Sequence, residues 1–219
     1  MARITTGTLA GPAGALEYLL NEPTGEVAGR GAGLAAVAAH PHPRFGGTMH
    51  SRTVFYIARA LESLGMPVLR FNFRGVGKSQ GAYDEGRGEI EDLRAALDWM
   101  AARFPRPIVL AGFSFGSMVA MRYLAAHRDR RVASYLGVGF PAKNEAAPAA
   151  WAWQGPKLLI SGTNDVFATP EQLGAAAARL PPPREWYWIE GADHYLTGHY
   201  ESFRALVHEH LTWQTEPRD

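Results

Sequence analysis

Five residues restrict the possible folds of this 219-residue chain more than any others: Gly112-Phe113-Ser114-Phe115-Gly116. They follow a short apolar run at 108–111 and open a segment of helical character that reaches about His127. A serine between glycines two residues away on either side, set between strand and helix, marks a sharp turn. The two elements crowd each other there, so neither glycine position has room for a Cβ. The serine sits in strained backbone geometry with its oxygen clear of the sheet. The helix N-terminus lies beneath it, and its free N–H groups and dipole favour developing negative charge. Five letters alone are a weak signal in a chain with 24 glycines. A strand before them and a helix after them are the context that gives them meaning. Ser114 is thereby the candidate nucleophile.

The rest of the chain has the alternation such a turn needs. Segments 3–9 and 15–21, separated by Gly-Pro-Ala-Gly, predict a hairpin, so the sheet begins antiparallel. An apolar run at 33–39 stops at His40-Pro41-His42-Pro43, where proline ends the strand. Val54, Ile57, Leu61 and Leu64 fall at helical spacing, and 67–73 is the next strand. Ile90, Leu93, Leu97, Met100 and Phe104 mark one face of a long helix. Strands follow at 132–138, 157–161 and 184–189, with helices at 169–180 and from His199. Strands alternating with helices predict a mostly parallel sheet of about eight strands, covered by helices on both faces. The length suits one domain over 1–219.

Chain order supplies the partners of Ser114. Where a serine occupies this kind of turn, an acid and then a histidine follow it in sequence. Ser161-Gly162-Thr163-Asn164-Asp165 follows one strand, and Glu190-Gly191-Ala192-Asp193-His194 follows the last. Both lie at strand C-terminal ends, where open α/β sheets place their sites. His194 is the candidate base, because imidazole titrates near neutral pH. His127, His208 and His210 fall in helical segments and read as surface or packing residues. Asp165 is the candidate acid that orients the ring. Asp193 is its rival, although an adjacent aspartate more often bonds local backbone in a turn.

Taken with AHPHPRFGGTM (39–49), FNFRGVGKSQG (71–81), SGTNDVFATP (161–170) and GADHYLTGH (191–199), the GFSFG segment makes the chain resemble the small, cap-free α/β-hydrolases related to the dienelactone hydrolases. The resemblance spans almost the whole length. It implies the α/β-hydrolase fold without a cap domain, and the roles of nucleophile, acid and base for Ser114, Asp165 and His194. It also implies an oxyanion hole built from the backbone N–H groups of Phe115 and His42. Proline lacks an N–H, so His40, His42 and Arg44 are the donors left in that loop, and the family's usual position maps to His42. Dienelactone hydrolases proper use a cysteine nucleophile, and this chain has no cysteine. The expected chemistry is therefore hydrolysis of a small carboxylic ester, or thioester, through an acyl-serine, with no cofactor and no metal. Acyl transfer or perhydrolysis on the same triad, and a non-catalytic small-molecule receptor, are the alternatives.

Aromatic side chains near these segments are the candidate pocket: Phe45, Tyr83, Trp151, Trp153, Phe167 and Tyr195. The two tryptophans lie in an Ala/Pro-rich connection rather than on a periodic face, as aromatics at a binding edge do. That connection is short and shows no apolar period, so an open site and a short acyl chain are expected. His40 and His42, with a proline between them and no cysteine, make a poor zinc site. Gly77-Lys78-Ser79 resembles the end of a P-loop, but Asn72 stands where a glycine is required, and ATP binding is not expected. Arg74, in the same turn, reads either as an anchor of neighbouring loops or as a solvated arginine.

Twenty-two basic against 21 acidic residues leave a net charge of +1, too little to hold a phosphate backbone or an anionic membrane. The partner expected is a small molecule rather than nucleic acid or lipid. The absence of cysteine fits a reducing compartment. The opening MARITTGTLAGP lacks the apolar core of a signal peptide. The longest apolar stretch is far below the roughly 18 residues of a membrane span. A cytoplasmic location is expected.

Overall fold

The computed structural model describes residues 2–24, 29–143 and 153–213. Eight strands and five helices run along them. β1 (Ala2–Gly11) and β2 (Gly14–Pro23) form an antiparallel hairpin that sets Leu9 opposite Leu16. β2 pairs antiparallel with β4 (Val68–Phe71). Beyond β4 every pairing is parallel, through β3 (Ala35–Ala39), β5 (Ile108–Phe113), β6 (Val132–Val138), β7 (Lys157–Gly162) and β8 (Arg184–Ile189). The strand order is β1-β2-β4-β3-β5-β6-β7-β8.

The central strands are buried on both sides, and alternate residues feed two cores. Val37 and Leu110 belong to the core beneath α2 (Arg87–Arg103), α3 (Phe115–His127) and α4 (Pro170–Arg179). Ala36, Ala38 and Val109 belong to the core beneath α1 (Arg52–Ser63) and α5 (Tyr200–His210). Each helix contributes the stripe its spacing predicts. Val54, Ile57 and Leu61 of α1 are buried, as are Leu93, Leu97 and Met100 of α2. Alanine recurs on β3 and lets helices approach the sheet closely, while leucine and phenylalanine fill the wider layers. Truncating a fully buried leucine such as Leu110 to alanine costs about 2–5 kcal/mol in packing of this kind.

The topology decides where a site can form. From β3 the chain crosses to α1 on one face. From β5 it crosses to α3 on the other. The two connections diverge at the C-terminal ends of neighbouring parallel strands, which leaves a crevice between them. β4 ends two residues short of the expected 73. The reason is hydrogen bonding: the Phe73 amide donates to the His40 ring at 3.0 Å instead of continuing the ladder. No helix among the described residues is long and apolar enough to cross a membrane.

Candidate active site

Ser114 occupies the turn between β5 and α3 with φ 53° and ψ −119°, a backbone conformation that non-glycine residues rarely hold. Two neighbours explain how it is kept there. A Cβ on Gly112 would lie 2.5 Å from the Gly116 carbonyl, and one on Gly116 would meet the carbonyl oxygens of Ala39 and His40. Strand, helix and the end of β3 are thus in contact at this turn, and only glycine fits at either flank. The Ser114 amide donates to the Val138 carbonyl at 2.9 Å, which ties the turn to β6. Phe115 is the first residue of α3, so its N–H has no carbonyl one turn earlier to bond.

His194 and Asp165 come from loops 29 residues apart and meet at 2.8 Å, Nδ1 to Oδ2. Both side chains are almost wholly enclosed. The two loops are laced together. The Thr163 and Asn164 amides donate to the Ile189 and Ala192 carbonyls, and the Gly191 amide donates to Thr163 Oγ1. The second oxygen of Asp165 accepts from the Phe167 amide at 2.8 Å. The imidazole is packed between Phe113 and Phe167, with ring centroids 4.8 and 4.4 Å away. Asp193 takes the turn position instead. Its Oδ1 accepts from the amides of Tyr195 at 3.0 Å and Thr197 at 2.9 Å, while the carboxylate facing His194 Nδ1 is that of Asp165.

The loop after β3 is fixed by its histidines. His40 is fully buried; its Nε2 accepts from Phe73 N–H, so Nδ1 carries the proton and donates to the Pro41 carbonyl at 2.6 Å. Burial pushes the ring's pKa down to about 4, with the His42 charge adding to the effect and the bond to Pro41 opposing it. His42 begins a single 3₁₀ turn, Pro43–Phe45, and its Nδ1 accepts from Arg44 N–H at 3.2 Å. Its Nε2 lies 3.0 Å from Tyr83 Oη. Both nitrogens of both rings are therefore engaged within the protein.

Ser114, His194, His42 and Phe115 line one cavity of about 660 Å³. Of the aromatic pocket residues expected from sequence, Phe45, Tyr83, Phe167 and Tyr195 are in its wall. Phe45 stands 86% exposed at its edge. Trp153 is not there. It is only 7% exposed and belongs to the core under α2, α3 and α4, with the Lys157 ammonium 5.1 Å from its ring centroid. An Ala/Pro-rich context says nothing about which way a side chain turns, and burial of the large indole prevails. Trp151 lies outside the described residues. Phe113, Met118, Arg52 and Arg122 are among the residues in the wall that had not been expected. Phe113 was readable from strand alternation beside the motif; the others depend on how α1 and α3 are rotated against the sheet.

Arg74 proves to be an anchor. Its guanidinium makes a bidentate pair with the fully enclosed Asp92 carboxylate of α2 at 2.8–3.2 Å, and its amide bonds the same group. Glu89, also buried, accepts from the amides of Asp84 and Gly86 at 2.9 and 2.7 Å. Together they hold the connection that carries Tyr83.

An eight-stranded, mostly parallel sheet of this order, with a strained serine turn after β5 and a His–Asp pair beyond β7 and β8, defines the α/β-hydrolase class of proteins. Comparison with known sequences agrees: residues 36–212 match the model of the family described as "Alpha/beta hydrolase domain", and the chain belongs to that family. The uncharacterized protein RP471 of Rickettsia prowazekii is 31% identical over 212 residues, covering 89% of this chain and 88% of that one. An alpha-beta serine hydrolase homologue from Coxiella burnetii superposes with a TM-score of 0.86 at 35% identity, over 95% of this chain and 97% of the other. The Xanthomonas campestris protein XC6422, described as a serine hydrolase without lid, gives 0.83 at 32% identity over 94% and 92%. The fold and the cap-free kinship expected from sequence are thus established.

Proposed function

We propose that the protein hydrolyses a small carboxylic ester, or thioester, through an acyl-Ser114 intermediate. The observation that carries this reading is the buried 2.8 Å contact between His194 Nδ1 and Asp165 Oδ2, in the wall of the same cavity as the strained Ser114. A carboxylate accepts only, so Nδ1 bears the proton and Nε2 keeps its lone pair. His194 Nε2 takes the Ser114 proton as Oγ attacks the acyl carbon. The carbonyl π pair moves onto oxygen, and the N–H groups of Phe115 and His42 stabilise that charge. When the oxyanion collapses, the alcohol or thiol leaves with the proton from His194. Water then repeats the sequence on the acyl-serine and releases the acid. Asp165 stays ionised and stabilises the imidazolium.

The size of the cavity and its largely apolar wall suit a small organic substrate. No cofactor or metal enters any step. The near-neutral charge balance argues against nucleic acid or membrane as partner, and we place the protein in the cytoplasm. The test is labelling with a fluorophosphonate together with turnover of p-nitrophenyl esters. One label on Ser114, lost in Ser114→Ala with a fall in turnover on the order of 10⁶, is the expected result. Unchanged turnover in Ser114→Ala would sink the reading. Labelling without turnover of any ester would favour a receptor or an acyltransferase.

A further inference from the structure

We propose that Tyr83 donates a hydrogen bond from its phenolic hydroxyl to an oxygen of the bound substrate, and that the His42 side chain sets the direction of that proton. The proposal rests on reading the Ser114 cavity as the reaction site, and it adds a polar recognition contact to a largely apolar wall.

The argument follows one chain of donors. A backbone amide can only donate, so the 3.2 Å contact from Arg44 N–H makes His42 Nδ1 an acceptor. A neutral imidazole has one proton, which must then sit on Nε2. An unprotonated Nδ1 makes the ring neutral, and its lowered pKa, from burial first and the Arg44 guanidinium second with Glu89 opposing, favours the same form. His42 Nε2–H therefore donates to Tyr83 Oη across 3.0 Å, and the phenol oxygen is the acceptor. The reverse assignment would put a proton on Nδ1 facing the Arg44 amide, two donors head to head. It follows that the hydroxyl proton of Tyr83 is not used on His42 and turns away from it. Among the described residues no other side chain or carbonyl is hydrogen-bonded to Tyr83 Oη.

The ring that carries this proton is in the cavity wall with Ser114. It is held in place on three sides. Phe115 packs against it at 5.9 Å between centroids, the His42 ring at 5.0 Å, and the Arg44 guanidinium lies 5.7 Å from its centroid. The backbone beside it is fixed by the buried Glu89 carboxylate, which accepts from the Asp84 and Gly86 amides. Pro41, Phe45, Phe113, Phe115, Met118 and Phe167 make the apolar part of the surrounding wall, which Ser51, Arg52, Thr53, Glu85 and Arg122 also line. A donor aligned by its neighbours in this way discriminates between ligands, because a ligand without an acceptor there leaves it unpaired.

The experiment is a double-mutant cycle on kcat/KM for p-nitrophenyl acetate and butyrate, with wild type, Tyr83→Phe, His42→Ala and the double variant. His42→Ala keeps the backbone N–H of the oxyanion loop and removes only the ring. Tyr83→Phe should lower kcat/KM about tenfold, the scale of one hydrogen bond. In the His42→Ala background, where nothing directs the proton, that loss should shrink but remain measurable; an undiminished loss would remove His42 from the proposal. Two results overturn the proposal and leave the hydrolase reading intact: a Tyr83→Phe enzyme that matches wild type, or a loss that vanishes in the His42→Ala background. The latter would make Tyr83 a tether of the loop and nothing more. A wild-type protein that neither labels at Ser114 nor turns over either ester would remove the reaction site, and this proposal with it. Thermal melting of each variant checks that loss of one half-buried hydroxyl leaves the fold standing.

Discussion

Residue 42 is proposed for two separable roles at one position. Its ring belongs to the contact with Tyr83, and its backbone N–H is the second donor proposed for the oxyanion. Its φ of −56° is one that proline adopts, so His42→Pro deletes the N–H without forcing the local backbone angle. His42→Ala loses only the side chain. The difference between the two variants isolates the donor. His42→Pro should have a kcat roughly 10² to 10³ below that of His42→Ala, while acid quenching still finds the acyl-enzyme on Ser114. Equal rates in the two variants would move the second donor elsewhere in the loop. Asp165 shows how one position is selected by geometry. Asp193 adjoins His194 in the chain and Asp165 is 29 residues away, yet Asp193 uses its Oδ1 on the Tyr195 and Thr197 amides, and Asp165 faces Nδ1.

At the scale of elements, the junction between β4 and α2 matters most, because it presents Tyr83 to the cavity. Its anchor is a buried ion pair, Arg74 to Asp92, in which the carboxylate side chain is completely shielded from solvent. Removing one partner of such a pair leaves a buried charge without compensation, which costs about 3–5 kcal/mol. Arg74→Ala should shift the urea midpoint down by the equivalent of that loss. Arg74→Lys should recover part of it, since an ammonium restores charge but not the planar fork. An apolar pair at both positions should lie closer to wild type than Arg74→Ala does. A midpoint unchanged in Arg74→Ala would show that the pair contributes nothing to the junction. The connection after β6 behaves differently from the expectation drawn for it. Trp153 is anchored in the core rather than at the mouth, so the aromatic edge of the site comes from Phe45, Phe167 and Tyr195 instead.

For the molecule as a whole, acid stability should report the buried His40. Its folded pKa is depressed to about 4, against about 6.5 in an unfolded chain. Between those values the unfolded state binds the extra proton, so stability falls as pH drops from about 6.5 to about 4, and this contribution is constant outside that window. His42 and His208, also lowered by burial, act in the same direction. Between pH 7 and pH 5 the free energy of unfolding should decrease on the order of 2 kcal/mol. Urea unfolding at the two pH values measures it, and His40→Asn should flatten the slope. A wild-type profile flat across this range would mean that His40 is charged in the folded protein, against the bond it accepts from Phe73.

What the sequence determined by itself is local and periodic. Strand alternation, helical stripes and the glycines around Ser114 all express constraints between residues a few positions apart, and each element appears within a few residues of where periodicity puts it. The order of Ser114, Asp165 and His194 was legible because chain order is a linear property. Tertiary structure alone decided the rest. Strand order sets the divergence of the β3 and β5 connections, and so the crevice into which Ser114 faces. Lacing of the β7 and β8 loops, not sequence distance, gives His194 the Asp165 carboxylate. Whether Trp153 or Tyr83 lined the cavity depended on where each ring could be buried or hydrogen-bonded. Arg74 could be recognised as an anchor only once α2 had brought Asp92 to it from 18 residues away. In loops and junctions, directions of side chains are settled by which surfaces pack together, and no periodic pattern along the chain records that.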